Sequence, residues 1–230
     1  MAELLDLNVI GIIFLTGVLP TLLWLFFWLR EDRFHPEPLG LLLITFIAGG
    51  LMVFLILPFE QFVKMLGAEG TEKILIFAAA EEIAKFSVVF FIDFKSSYLD
   101  EPVDYAIYLI TGALGFATVE NVLFLIEPSL QQDISFIVET GTLRFLGATI
   151  LHSVLAATLG IIIGFVFFKK RSIKFIFGVI GLGIVIILHT VFNSFIIKYV
   201  EINGLLTLGI LWIVTLIIIG LFERVRRVHR

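Results

Sequence analysis

Seven apolar stretches, each about as long as the roughly 20 residues a helix needs to cross hydrocarbon, recur along the 230-residue chain between charged or proline-bearing breaks. They cover approximately residues 8–29, 39–57, 74–92, 105–126, 143–168, 175–197 and 205–222. In lipid every backbone N–H and C=O must find its partner inside the segment, which leaves helices or closed barrels. Apolar runs of this length without period-2 alternation select helices. The expectation is an all-α, polytopic membrane bundle of about seven transmembrane helices. Composition agrees: 60% of residues are hydrophobic, 16% are charged and the mean hydropathy is +1.10, against about half and a quarter in soluble domains. No connecting loop exceeds sixteen residues, so residues 1–230 read as one membrane domain. The N-terminus carries Glu3 and Asp6 and no basic region, so the first run reads as a retained span and not as a secretory signal. There is no cysteine, which excludes thiol nucleophiles and Cys-based zinc sites. Nucleic acid is not an expected partner.

Orientation follows from lysine and arginine in alternate loops. Arg30, Arg33, Lys95, Lys169, Lys170, Arg171, Lys174 and the tail Arg224, Arg226, Arg227 and Arg230 fall on one side, whereas Lys64, Lys73, Arg144 and Lys198 fall on the other. The expectation is N-terminus outside and C-terminus cytoplasmic, with the basic tail meeting anionic headgroups. Trp24 and Trp28 sit where interfacial anchors would. The longest loops, 58–73 and 127–142, lie on the outer side, and Ile134, Phe136 and Ile137 make the second a candidate gate. Glycines 160, 164, 178, 181 and 183 read as close helix packing.

A charge at the bilayer centre costs about 2.5–3.5 kcal/mol on insertion scales, so each one inside a span needs a reason. Glu81, Glu82 and Lys85 fall in the third span, Glu120 and Asn121 in the fourth, His152 in the fifth, and His189 and Asn193 in the sixth. Counted inward at 1.5 Å per residue, the acids and histidines lie roughly 9 to 13 Å below the outer ends of their spans. Asn193 lies nearer the surface and Lys85 nearer the middle. Singly, His152, Asn121 or Asn193 could be an interhelical hydrogen bond. A shared level in four helices instead suggests a reaction centre. Three carboxylates and one ammonium sum to −2 if all are ionised. Either protonation or a divalent cation must cancel that charge, and Arg144, one turn outside the layer, could contribute. Zinc accepts His nitrogen and Glu oxygen and leaves a position for water in catalytic sites.

In this order, Glu81-Glu82-Ile83-Ala84-Lys85, Phe116-Ala117-Thr118-Val119-Glu120-Asn121, the lone His152 and His189-Thr190-Val191-Phe192-Asn193 resemble the motifs of PrsW-type intramembrane proteases over nearly the whole chain. The stretch Asp32-Arg33-Phe34-His35-Pro36-Glu37-Pro38 resembles that family's first loop. The family is related to the CAAX prenyl endopeptidase and bacteriocin-processing group, whose EExxxR, FxxxH and HxxxN pattern differs here at Lys85 and Glu120.

The resemblance implies an endopeptidase that cleaves a single-span membrane protein, such as an anti-sigma factor, near its extracytoplasmic side. Peptide hydrolysis needs an activated water, a carbonyl polariser and a proton donor. Glu81 is expected as general base and Glu82 as its support or a metal ligand. Glu120, His152 and His189 are expected to hold zinc or, without metal, to orient the water. Asn193 is expected to donate to the oxyanion, and Lys85 to act as counter-ion. No small-molecule cofactor is expected. HExxH, paired intramembrane aspartates and a rhomboid-like serine motif are absent, and Ser87 and Ser153 read as bonding their own helices. The rival readings are an ion or proton transporter, since intramembrane Glu, His and Lys also mark ion paths, and a catalytically silent receptor or immunity protein. His35 and His229 are expected outside the site.

Overall fold

A computed structural model describes residues 7–32, 35–130 and 134–227, of which 7–8, 127–130, 136 and 197–205 are described by backbone alone. The described residues form helices and no strand. In chain order they are α1 (Leu7–Ile13), a first π segment (Phe14–Val18), α2 (Leu19–Glu31), α3 (Leu39–Met65), α4 (Gly70–Ile92), α5 (Asp104–Leu130), α6 (Ile134–Leu143), a second π segment (Arg144–Thr149), α7 (Ile150–Gly164) and α8 (Arg171–Arg226). Six stretches among them are long and apolar enough to cross a membrane: Val9–Glu31, Leu39–Met65, Asp104–Ile126, Ile137–Gly164, Arg171–Ile196 and Leu206–Arg226. The expected third span lies within α4, which has a span's length at 23 residues but carries Glu72, Lys73, Glu81, Glu82 and Lys85.

α8 holds both of the last two expected spans in one element of 56 residues. A straight helix of that length would reach about 84 Å, far beyond the roughly 30 Å of hydrocarbon. Gly178 packs against Ile163 and Val225 against Gly164, so both ends of α8 lie beside the end of α7 and the element reverses between them. Opposite the reversal, one face of the bundle collects the end of α2, the start of α3, the end of α4, the start of α5 and both ends of α8. Trp28 meets Phe222 with ring centroids 5.2 Å apart, Thr45 donates to Asp93, and Arg226 donates to the carbonyl of Glu31.

α5 and α7 form the buried centre, and α2, α3 and α8 turn apolar faces outward, with Phe26, Leu55 and Leu216 among the most exposed side chains. Absent glycine side chains set the spacing around α5. A Cβ on Gly115 would stand 1.9 Å from the carbonyl oxygen of Phe46, and one on Gly160 would stand 2.3 Å from the Cα of Ala106. α3 and α7 therefore press directly on the α5 backbone, as small residues permit. Gly164 and Gly181 are similarly crowded, whereas a Cβ on Gly183 would meet nothing within 4 Å, so Gly183 plays no part in packing.

Three further expectations are corrected. The segment 127–142, expected as a loop, is largely helix, because α5 runs to Leu130 and α6 begins at Ile134. Ile137 is fully buried against Val9, Ile13 and Leu125, so it is a packing residue and not part of an open cap; the side chain of Phe136 lies outside the described residues. Much of the loop 58–73 is also helical, since α3 continues through Pro58 to Met65. Trp28 is no lipid-facing anchor: it is 1% exposed and wedged against Phe27 and Phe222. His229 and the loop residues Arg33 and Phe34 lie outside the described residues.

Candidate active site

The polar residues of four helices meet in one buried cluster. α4 supplies Glu81, Glu82 and Lys85, all less than 7% exposed. The i, i+3 spacing that places side chains on one helix face lets Lys85 Nζ donate to Glu82 Oε1 at 2.5 Å, with Glu81 Oε2 3.9 Å away. Lys85 Nζ also lies 2.9 Å from His152 Nδ1 on α7. An ammonium can only donate, so Nδ1 accepts and Nε2 of a neutral His152 carries the proton toward Glu120 Oε2, 3.2 Å away on α5. His189 of α8 places Nδ1 2.7 Å from Glu82 Oε1 and Nε2 4.0 Å from Glu81 Oε2. The two imidazoles meet edge to face with centroids 5.5 Å apart.

The π segments complete the cluster. A π turn inserts one residue into the helical ladder and recurs at functional sites. The second swings Arg144 inward, where Nη2 donates to Glu120 Oε2 at 2.5 Å and Nε to Asn121 Oδ1 at 2.7 Å. Asn121 Nδ2 donates to Thr149 Oγ1 at 3.0 Å and to the carbonyl of Gly17, in the first π segment, at 3.3 Å. Pro20 lacks an N–H, which accounts for a disturbed ladder near that first segment. Asn121 therefore ties both irregular turns to α5.

Glu81, Glu82, Lys85, Glu120, His152 and His189 share this contact network, and Arg144 joins it more intimately than spacing alone suggested. Asn193 lies one turn beyond His189, half-buried and outside these contacts. His35 lies apart, 3.5 Å from Glu101. Within the cluster the groups divide into two sets. Glu82 is engaged by Lys85 and His189. Glu81, Glu120 and His152 each bring a ligand atom within 4.8 Å of the others, and Glu81 Oε2 is buried with no hydrogen-bond partner. Three carboxylates against Lys85 and Arg144 leave one uncompensated negative charge when the imidazoles are neutral, a costly state for a buried site. Two carboxylates and one imidazole from three helices, with an oxygen left unsatisfied, fit a divalent metal of the zinc type.

A second acidic group was not foreseen from the sequence. Asp32, Glu37 and Asp104 bring carboxylate oxygens within 4.8 Å of one another on the face where α2, α3 and α5 begin or end. Tyr108 donates to Glu37, and Asp104 Oδ2 accepts from the backbone of Asp100 and Glu101. Burial, reinforced by Glu37 and Glu101, pushes the Asp32 carboxyl up to about 7, and burial raises Glu37 as well. Asp32 and Glu37 fall in the stretch that resembles the family's first loop, but these acids occupy loop and helix-end positions where charge is ordinary, and nothing in the one-dimensional pattern brings Asp104 to them.

Comparison with known proteins adds to this geometry. The profile of the family described as PrsW family intramembrane metalloprotease matches residues 37–221. Protease PrsW of Geobacillus kaustophilus is 35% identical over 161 residues, spanning 67% of this chain and 65% of that protein. Protease PrsW of Bacillus subtilis is 27% identical over 67% of each chain. That of Clostridioides difficile is 27% identical over 79% of this chain and 77% of its own length. The match thus spans just under two thirds of the Geobacillus protein. No solved structure matches the chain.

Proposed function

The chain belongs to the PrsW family of intramembrane metalloproteases, and from that premise we propose that it is a multi-pass membrane endopeptidase, acting as one domain over residues 1–230, that hydrolyses a peptide bond in a single-span membrane protein such as an anti-sigma factor. The observation that carries this reading is the approach of Glu81, Glu120 and His152 within 4.8 Å around a buried carboxylate oxygen that has no hydrogen-bond partner. Counting α4 as a seventh crossing puts the termini on opposite sides, and the lysine and arginine bias then sets the C-terminus in the cytoplasm and the cluster toward the extracytoplasmic leaflet.

In this reading Glu81 accepts the proton of the attacking water. Its Oε2 and His189 Nε2 stand 4.0 Å apart, too far for a direct hydrogen bond and suited to two groups that grip one water between them. Glu82 holds His189 through Nδ1 and is itself neutralised by Lys85, which fixes the imidazole's orientation. The water oxygen bonds to the carbonyl carbon, the proton passes to Glu81 and then to the leaving amine, and the C–N bond breaks. Asn193 donates to the oxyanion.

Glu81, Glu120 and His152 are the residues that would hold a divalent ion. A carboxylate has two oxygens, so Glu81 can offer one as ligand and keep the other for the proton. When bound, such an ion acidifies water and polarises the carbonyl. Arg144 holds Glu120 in place. Glu81, Glu82, Lys85, His152 and His189 are buried among helices while Glu120 is partly exposed, so the substrate segment enters laterally from lipid on the Glu120 side. The test is reconstitution of the full chain in liposomes with a tagged single-span substrate. Discrete cleavage in wild type and none in Glu81→Gln supports the reading, whereas ion flux without cleavage identifies a transporter.

A further inference from the structure

Away from the polar cluster, at the highly cationic face, the ends of α4, α7 and α8 enclose a groove of about 620 Å³, a size that suits a small-molecule site. Its floor is apolar: Phe86 and Phe90 of α4 and Phe94 of the turn that follows line it on one side, and Val179 and Leu182 of α8 on the other. Its mouth carries Lys95, Lys169, Arg171 and Lys174, and no Asp or Glu is among the described residues that line it.

Two of these cations sit where a helix disfavours them. Arg171 and Lys174 occupy the first turn of α8, whose N-cap, Lys170, makes no side-chain hydrogen bond to it. Unpaired N–H groups already make a helix N-terminus electropositive, and side chains there are ordinarily acidic. Here Lys169, Lys170, Arg171 and Lys174 concentrate positive charge around an uncapped terminus. The described neighbours supply no carboxylate; Lys174 Nζ instead lies 5.2 Å from the centre of the Phe167 ring. A phosphate would satisfy both the N–H groups and the ammonium groups. The phenylalanine floor directly below calls for hydrocarbon attached to that phosphate.

We propose that this groove binds one anionic glycerophospholipid, with its phosphate on Lys95, Lys169, Arg171 and Lys174 and an acyl chain along Phe86, Phe90 and Phe94. The groove separates the same helices that must meet at Glu82 and His189. Phe86 follows Lys85 directly, and Leu182 lies two turns before His189. A bound lipid therefore wedges α4 and α8 at a fixed spacing and sets the contact that orients His189. This regulatory consequence rests on the protease reading; the binding itself does not.

The test is native mass spectrometry of the full chain in nonionic detergent with dioleoyl phosphatidylglycerol or dioleoyl phosphatidylcholine, read without any activity. Wild type should retain phosphatidylglycerol about tenfold more than phosphatidylcholine. Lys95→Gln/Lys169→Gln/Lys174→Gln should lose that preference, and so should Val179→Trp, which fills the groove while keeping every cation. Lys95, Lys169 and Val179 are exposed and Lys174 is half-buried, and an unchanged thermal midpoint checks that the variants fold. Equal retention of the two lipids, full retention by either variant, or displacement by equimolar inorganic phosphate overturns the proposal. In liposomes, phosphatidylglycerol should raise cleavage by wild type and leave the triple variant unchanged. Absence of any cleavage would count against the protease reading alone.

Discussion

Glu82 and His189, 107 positions apart in sequence, meet at 2.7 Å between Oε1 and Nδ1, and the same Glu82 oxygen takes the Lys85 ammonium at 2.5 Å. One carboxylate thus clamps an imidazole and a cation. Its neighbour Glu81 remains without a hydrogen-bond partner at Oε2. That asymmetry between adjacent glutamates separates their expected phenotypes.

Glu81→Gln should lower the rate of substrate cleavage by about 10²- to 10⁴-fold, the usual scale for a general base. It removes a buried carboxylate whose Oε2 has no hydrogen bond and whose ion pair with Lys85 is long, at 3.9 Å, so the thermal midpoint in detergent should stay level or rise. Initial rates and a melting curve on the same preparation check both, and near-wild-type cleavage would falsify the assignment of Glu81.

Lys85→Met should behave in the opposite way. Removing the cation leaves Glu82 buried against His189 without its counter-ion, a loss of about 3–5 kcal/mol for a broken buried pair. Unfolding in mixed micelles measures it. The double variant Lys85→Met/Glu82→Leu should recover much of the stability and none of the activity.

Zinc should raise the unfolding midpoint of chelator-treated protein and restore its cleavage, and Glu120→Gln or His152→Ala should abolish the stabilisation. The metal-binding forms are two carboxylates and a neutral imidazole, so protons compete with the ion for the same groups, and binding should tighten as pH rises. Calorimetric titration in two buffers of different ionisation enthalpy detects it. A midpoint indifferent to chelator and zinc would argue for water activation by glutamate alone.

Gly115→Ala should destabilise the bundle by about 1–3 kcal/mol, the cost of overpacking a filled interface, because the new Cβ would meet the Phe46 carbonyl at 1.9 Å. It should also depress cleavage, since α5 carries Glu120 into the cluster. Gly183→Ala, with no neighbour within 4 Å, should be neutral in both respects. Equal behaviour of the two variants in melting curves would contradict the packing described.

The Asp32 carboxyl, pushed from 3.8 to about 7 in the fold by burial and by Glu37 and Glu101, gives a pH dependence of known sign. In the unfolded chain it ionises near pH 4. Between about pH 4 and 7 the folded state therefore holds more protons, and stability falls as pH rises. Asp32→Asn should flatten that slope and raise the midpoint above pH 7. Melting curves from pH 4 to 8 provide the comparison.

Helix content and the residues out of place in lipid could be read directly from the chain. Both rest on summed local quantities: a run of apolar side chains either covers hydrocarbon or does not, and a charge within it carries its cost wherever the helix packs. Counting depth was enough to bring Glu81, Glu82, Glu120, His152 and His189 to one level. Partners are a different matter, because a level is a plane and a contact also needs a rotation about each helix axis. Gly115 against Phe46 and Gly160 against Ala106 set those rotations, and two π turns, invisible in hydropathy, delivered Arg144 and Gly17 to Asn121. Tertiary packing likewise drew Trp28 inward, made helix of much of 127–142, and gathered Asp32, Glu37 and Asp104 from separate helix ends. The sequence alone determined which groups lipid could not tolerate; only the fitting of backbone against backbone decided which of them would touch.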